Sequence, residues 1–290
     1  MKKDSIPELT MQNIGDVDLP YLSYGSHGPT LILLHATGFI SWLWHPIARY
    51  LSSTYRVIVP HIVDYREADP EKGGLPWMTV ARDIFSFCEK NQIENPYLVG
   101  HSMGGTILTL AVAQYGLKAE AMILIEPIFL HPDFYIYRMS VDGHPLASKA
   151  IKRANSWGNV AEAMAYLKSK TLFKKWDEEI LQLYIDYGMK KGEDGELHLL
   201  CSPRTEAALF MGGVQFDPWP LLPEVSCPVL VVEGEESDNT SFVDQKKVVS
   251  MFPHASHKVV TGAGHLVPME KPGEITAIIR DFFYSASDNL

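Results

Sequence analysis

Short apolar, β-branched runs recur along the chain at Thr30–Leu34, Arg56–Pro60, Tyr97–Val99, Ala121–Ile125, Val229–Glu233 and Lys258–Val260, and read as strands. Helical patterns fall between them, at about Trp42–Ser53, Thr79–Asn91, Gly104–Tyr115, Phe242–Phe252 and Gly273–Tyr284. Strands that alternate with helices imply a parallel sheet, because a parallel pair needs a crossover long enough to hold a helix. Ahead of this alternation, Met11–Asn13 and Tyr21–Tyr24 flank a turn containing Gly, Asp and Pro. They fit an antiparallel hairpin at one edge of the sheet.

The alternation breaks between about His131 and Pro223, where helical periodicity continues but no strand is readable. That interval looks inserted. Within it Phe173, Trp176, Ile180, Leu183 and Tyr187 recur at steps of three or four, while Lys174, Lys175, Asp177, Glu178 and Glu179 take the other face. Such a helix either packs on its own subdomain or lines a ligand pocket.

Composition narrows the function classes. With 290 residues, 46% hydrophobic and 21% charged, the chain can bury one large core and is not a disordered, collagen-like or repeat protein. Its 25 Lys+Arg against 35 Asp+Glu leave a net charge of −10, and no basic block exceeds a pair, which argues against a nucleic-acid partner. Cys88, Cys201 and Cys227 lie far apart without a CxxC pair, so neither a zinc site nor a disulfide framework is expected. The stretch MKKDSIPELT shows no apolar signal region, and no apolar run reaches the length of a membrane span. The expectation is a soluble cytoplasmic protein.

The strongest local signal is Gly100-His101-Ser102-Met103-Gly104-Gly105, set between the strand Tyr97–Val99 and the apolar helical run Thr106–Ala113. Small residues two before and two after the serine let the backbone turn sharply and lift the side chain off the sheet edge, as a nucleophile elbow requires. A serine hydroxyl is a weak nucleophile until a base takes its proton, so an imidazole oriented by a carboxylate should follow. His265 fits, in the loop Thr261-Gly262-Ala263-Gly264-His265 after the last strand.

Two candidates compete for the carboxylate. Asp238, in Gly234-Glu235-Glu236-Ser237-Asp238-Asn239 after the strand Val229–Glu233, is favoured over the alternative that it caps the helix beginning near Ser241. Glu126, at the end of Ala121–Ile125, faces the same crevice and is the alternative acid. Acyl transfer also needs donors for a developing oxyanion. The Met103 amide supplies one, and the loop His35-Ala36-Thr37-Gly38-Phe39 should supply the other, from Thr37 or its neighbour Gly38.

Together GHSMGG, HATGF, the order serine–acid–histidine and GAGHLVPMEKP resemble the α/β-hydrolase superfamily over essentially the whole chain outside the insertion. The resemblance implies a mostly parallel eight-stranded sheet flanked by helices, with core residues 1–128 and 223–290 and a helical cap at 129–222. It also implies that Ser102 attacks, His265 is the base and Asp238 is the acid. Ala36 stands where the family usually has glycine in its oxyanion loop, which separates this chain from the common pattern.

These readings point to a serine hydrolase of a small carboxylic ester, thioester or lactone. The alternatives are a C–C bond hydrolase or lyase using the same three residues, and a non-catalytic ligand receptor of the same fold. An apolar substrate pocket is expected from Phe39, Trp42, Phe129, Trp157, Phe210 and Met211, each of which would serve equally as cap–core packing. No phosphate loop, dinucleotide fingerprint or H-E-x-x-H occurs, so neither cofactor nor metal is expected.

Overall fold

Thr10–Asn13 (β1), Asp18–Tyr24 (β2), Thr30–Leu34 (β3), Arg56–Pro60 (β4), Tyr97–His101 (β5) and Ala121–Ile125 (β6) precede three short strands, Ser156–Trp157 (β7), Met189–Lys191 (β8) and Leu197–Leu199 (β9). Val229–Gly234 (β10) and Ala255–Val260 (β11) follow. In this computed structural model, which describes residues 6–287, eight of these strands join in the order β1-β2-β4-β3-β5-β6-β10-β11. Met1–Ser5, the first half of the stretch MKKDSIPELT, lie outside the described residues.

The pairs β1–β2 and β2–β4 are antiparallel, as the expected hairpin requires, and every pairing from β4 to β11 is parallel. β5 and β6 are buried along their whole length. Helices cover both faces of the sheet there, which is why those strands read as unbroken apolar runs instead of alternating ones.

The helices are His45–Leu51 (α1), Trp77–Lys90 (α2), Met103–Tyr115 (α3), Ala147–Ala150 (α4), Val160–Ser169 (α5), Glu178–Tyr187 (α6), Pro203–Gly213 (α7), Gln245–Met251 (α8), Val267–Glu270 (α9) and Pro272–Ser287 (α10). α2 is amphipathic and buries Val80, Ala81, Ile84, Phe87 and Cys88 at helical spacing. α3 instead buries all of Met103–Ala111, because the sheet lies beneath it and α2 packs alongside. No helix among the described residues is long and apolar enough to cross a membrane.

Between β6 and β10 the chain leaves the sheet. This interval holds α4–α7, but also an antiparallel sheet in the order β7-β9-β8, so the expectation of a purely helical insertion needs correction. Strands of two or three residues are too short to carry a period. Val141, Ala147, Ala150, Ala207 and Met211 form a small cluster of their own, whereas Trp157, Leu167, Trp176, Ile180 and Tyr184 join the main core. α6 begins at Glu178, its first turn capped by Asp177 Oδ1 accepting from the Glu179 (2.9 Å) and Ile180 (3.3 Å) amides.

The strand order doubles back at β3, whose neighbours are β4 and β5. Crossovers diverge at such a point and leave a crevice at the carboxyl ends of the strands. The loops after β3, β5, β6, β10 and β11 all open at that end of the sheet, and the candidate chemistry sits on them.

Candidate active site

Ser102 sits at the β5–α3 junction with φ 54° and ψ −119°, a strained conformation for a residue with a side chain. Its amide donates to the Ile125 carbonyl (2.8 Å), and its own carbonyl accepts from Gly105 (3.0 Å). The flanking glycines are sterically required. A Cβ on Gly100 would lie 2.5 Å from backbone atoms of Gly104 and Gly105, and one on Gly104 would strike the Leu34 and His35 carbonyls. The elbow therefore presses tightly against β3, leaving Ser102 only 6% exposed.

His265 Nε2 lies 3.2 Å from Ser102 Oγ. Its loop is held from three sides: the Gly264 amide donates to Glu270 Oε2 (2.8 Å), the Gly262 amide donates to Glu235 Oε2 (2.9 Å), and His101 Nε2 donates to the His265 carbonyl (2.9 Å). His101 is fully buried, and that burial, with a lesser contribution from His265, pushes its pKa down to about 3. It is therefore a neutral donor that ties the nucleophile's strand to the base's loop. Nothing in the sequence pattern singled it out, although it adjoins the serine.

The carboxylate on His265 is Glu126. Its Oε2 lies 3.0 Å from His265 Nδ1 and accepts from Ser237 Oγ (2.7 Å), while Oε1 accepts from the Gly234 amide (2.7 Å). Glu126 is wholly buried, with φ 50° turning it back over the end of β6. Three donors on two oxygens satisfy a buried charge that would otherwise be costly.

Asp238, the favoured candidate, is exposed and opens the short 3-10 turn Asp238–Ser241. Glu126 Oε2 stands at hydrogen-bonding distance from Nδ1, so the geometry favours the alternative acid over Asp238. The turn after β10 directs Ser237 inward to Glu126 and leaves Asp238 at the surface. The next residue, Asn239, points its side-chain amide at Nδ1 from 2.7 Å.

Facing the serine's strand, the loop after β3 is shaped by buried His35. Its Nδ1 donates to the Ala36 carbonyl (2.9 Å) and its Nε2 accepts from the Ile62 amide (3.1 Å), which fixes a neutral tautomer. Burial lowers its pKa to about 4. Gly38 adopts φ 81°, which glycine tolerates readily, and a Cβ there would collide with the Glu206 carboxylate. Thr37 follows β3 and Met103 opens α3 directly after Ser102, and both are buried.

The six expected pocket residues all make packing contacts. Phe39 meets Trp176 and Tyr184 at ring-centroid distances of 5.4 and 6.0 Å, and Trp42 stacks on Tyr187 at 5.0 Å, so both join the core to the inserted segment. Phe129 is enclosed by Trp219 and Phe252, and Trp157 packs on Tyr166. Phe210 and Met211 belong to the small cluster of the insertion. A surface cleft of about 760 Å³ opens beside Arg66, Lys72 and Arg204, and neither Ser102, Glu126 nor His265 lines it. Asp194 and Glu196 on the β8–β9 turn and His198 in β9 bring potential metal-ligand atoms within 4.8 Å of one another, and His198 is already bonded to Asp194.

Strand order, switch point and a strained serine at the head of α3 place the molecule among doubly wound α/β proteins with a sharp elbow between a central strand and its helix. Residues 31–278 match the family described as Alpha/beta hydrolase family, and the chain belongs to it. It is 26% identical over 264 residues to 2-(acetamidomethylene)succinate hydrolase of Mesorhizobium japonicum, covering 91% of this chain and 90% of the relative. To carboxylesterase YbfK of Bacillus subtilis it is 22% identical over 267 residues, covering 88% of this chain and 80% of the relative. Its fold is similar to that of the crystal structure of E-2-(acetamidomethylene)succinate hydrolase, with a TM-score of 0.79 at 22% identity over 96% of this chain and 99% of the other.

Proposed function

We propose that the protein is a serine hydrolase that cleaves a small carboxylic ester, thioester or lactone through an acyl-enzyme on Ser102, with His265 as base and Glu126 as the triad acid. The observation that carries this reading is the relay of 3.2 Å from Ser102 Oγ to His265 Nε2 and 3.0 Å from Nδ1 to Glu126 Oε2. Ser102 Oγ attacks the carbonyl carbon as its proton passes to Nε2. Glu126 keeps the other ring proton on Nδ1 and stabilises the imidazolium. The Thr37 and Met103 amides bind the tetrahedral oxyanion, a pair in which each donor contributes about 10²–10³ in rate. The imidazolium then protonates the leaving group, and water activated by the neutral ring releases the acid.

Residues 129–222 act as a cap over this site. Phe39, with Trp176 and Tyr184 brought to it by the cap, gives the substrate an apolar wall. Esterase names among the relatives, such as carboxylesterase YbfK, support the ester class.

The test is a turnover screen with p-nitrophenyl esters of increasing acyl length, an acyl thioester, a lactone and a vinylogous ring-cleavage diketone, with Ser102→Ala as control. Ester, thioester or lactone hydrolysis that vanishes in the control is expected. Consumption of the diketone alone would replace this reading with C–C bond hydrolysis.

A further inference from the structure

We propose that Asn239 is a positioning residue for His265, accepting the Nδ1 proton through its side-chain carbonyl alongside Glu126. The inference rests on the proposed Ser102–His265–Glu126 triad. An imidazole that takes the serine's proton at Nε2 must carry its own proton on Nδ1. That N–H has two neighbours, Glu126 Oε2 at 3.0 Å and the carboxamide of Asn239 at 2.7 Å, with Nδ2 the nearer end. An amide NH₂ facing a ring N–H would set two donors against each other in a half-buried site. A half-turn of the carboxamide brings Oδ1 to the same place and makes the contact attractive.

The opposite tautomer, with Nδ1 bare and accepting from Asn239, would turn a lone pair towards Glu126 Oε2. That oxygen already accepts from Ser237 Oγ, and its partner Oε1 accepts from the Gly234 amide, so a bare Nδ1 would set acceptor against acceptor. The proton therefore belongs on Nδ1, and the Asn239 oxygen faces it.

The backbone assists. The Asn239 amide donates to Ser237 Oγ (3.3 Å), so the residue that contacts Glu126 also fixes the turn that presents Asn239. Two loops, after β6 and after β10, thus hold the same ring proton from different sides, one with a charge and one with a dipole. The loop after β10 is consequently a seat at which a carboxylate could replace the work of Glu126.

The other titratable groups around the ring are neutral His101 on β5, Glu235 and Glu270 bonded to the His265 loop, the Lys175–Glu236 pair beside Gly262, and exposed Asp238. All are unchanged in the variants below.

The experiment measures kcat, KM and the pH profile of kcat/KM with the best p-nitrophenyl ester for wild type, Asn239→Leu, Asn239→Asp, Glu126→Gln and the double variant Glu126→Gln/Asn239→Asp. Asn239→Leu should lower kcat about tenfold with KM little changed and move the acidic limb to lower pH, because the imidazolium loses an acceptor. Asn239→Asp should move that limb to higher pH. The double variant should recover at least about tenfold of what Glu126→Gln loses, since the missing charge returns from the second loop. Asn239→Leu with wild-type kcat and pH profile would overturn the proposal, as would a double variant no better than Glu126→Gln. Full activity in Glu126→Gln alone would instead refute the underlying triad.

Discussion

Replacing Glu126 by glutamine changes one charged oxygen into an NH₂ group at nearly constant volume, and the groups packed around it set the consequence. Three donors aim at the carboxylate: the Gly234 amide on Oε1, and Ser237 Oγ and His265 Nδ1 on Oε2. Glutamine has a single acceptor oxygen. If that oxygen keeps the Gly234 amide, the NH₂ faces Nδ1 and drives the ring proton to Nε2, where it blocks proton transfer from Ser102. If the oxygen keeps Nδ1, a buried backbone amide loses its acceptor, at a cost of about 1–3 kcal/mol in stability. Carboxylate-to-amide exchange in a catalytic triad costs about 10⁴ in kcat, or about 5.4 kcal/mol at about 1.36 kcal/mol per decade. The second acceptor proposed at Asn239 tempers the tautomer penalty, so a loss of about 10³–10⁴ in kcat is expected here. Steady-state ester hydrolysis at saturating substrate reads it, with circular dichroism confirming the fold. A correctly folded Glu126→Gln protein with kcat within about threefold of wild type would refute the reasoning.

The companion change Asp238→Asn touches an exposed side chain and should leave kcat within about threefold, so loss of turnover there would restore Asp238 as the acid. His35, His61 and His101 are held neutral by burial, with pKa values lowered to about 4, 3 and 3. Each favours the folded state fully above the unfolded value near 6.5 and loses that contribution as the pH falls towards the folded value. Between about pH 7 and about pH 5 the loss is on the order of 2 kcal/mol per histidine, as an upper figure. Urea midpoints should drop accordingly, and a midpoint that does not move would contradict this. Gly100→Ala should cripple the elbow, because the added methyl meets the Gly104 and Gly105 backbone, and near-normal activity in that variant would count against the tight turn. Asp83, 1% exposed, carries the Arg66 guanidinium and the Tyr65 hydroxyl, but Arg66 keeps its pair with Asp16, so Asp83→Ala should cost about 1–3 kcal/mol of unfolding free energy, measured by denaturant titration.

Much of this architecture is legible in the chain because it obeys local rules. Buried parallel strands read as short apolar runs, α2 shows its face at helical spacing, and the Gly100 and Gly104 positions announce a turn that only small residues permit. The small sheet of the insertion escaped because its strands are two or three residues long, although Gly192-Glu193-Asp194-Gly195 marks the hairpin turn between β8 and β9. The choice between Asp238 and Glu126 was not a local matter. Both lie at strand ends in the same crevice, and the left-handed backbone of Glu126 and the inward turn of Ser237 decide which carboxylate reaches the ring. His101 and His35 were hidden for a related reason: each works through the hydrogen bond it makes to a distant or neighbouring backbone, which no spacing rule records.

The most direct measurement of the central claim, a serine hydroxyl made reactive by His265, is labelling with a fluorophosphonate followed by peptide mass mapping. One adduct per chain is expected, located on Ser102, absent in Ser102→Ala and strongly slowed in His265→Ala. Folded wild-type protein that takes up no label, or takes it up at another residue, would contradict the claim.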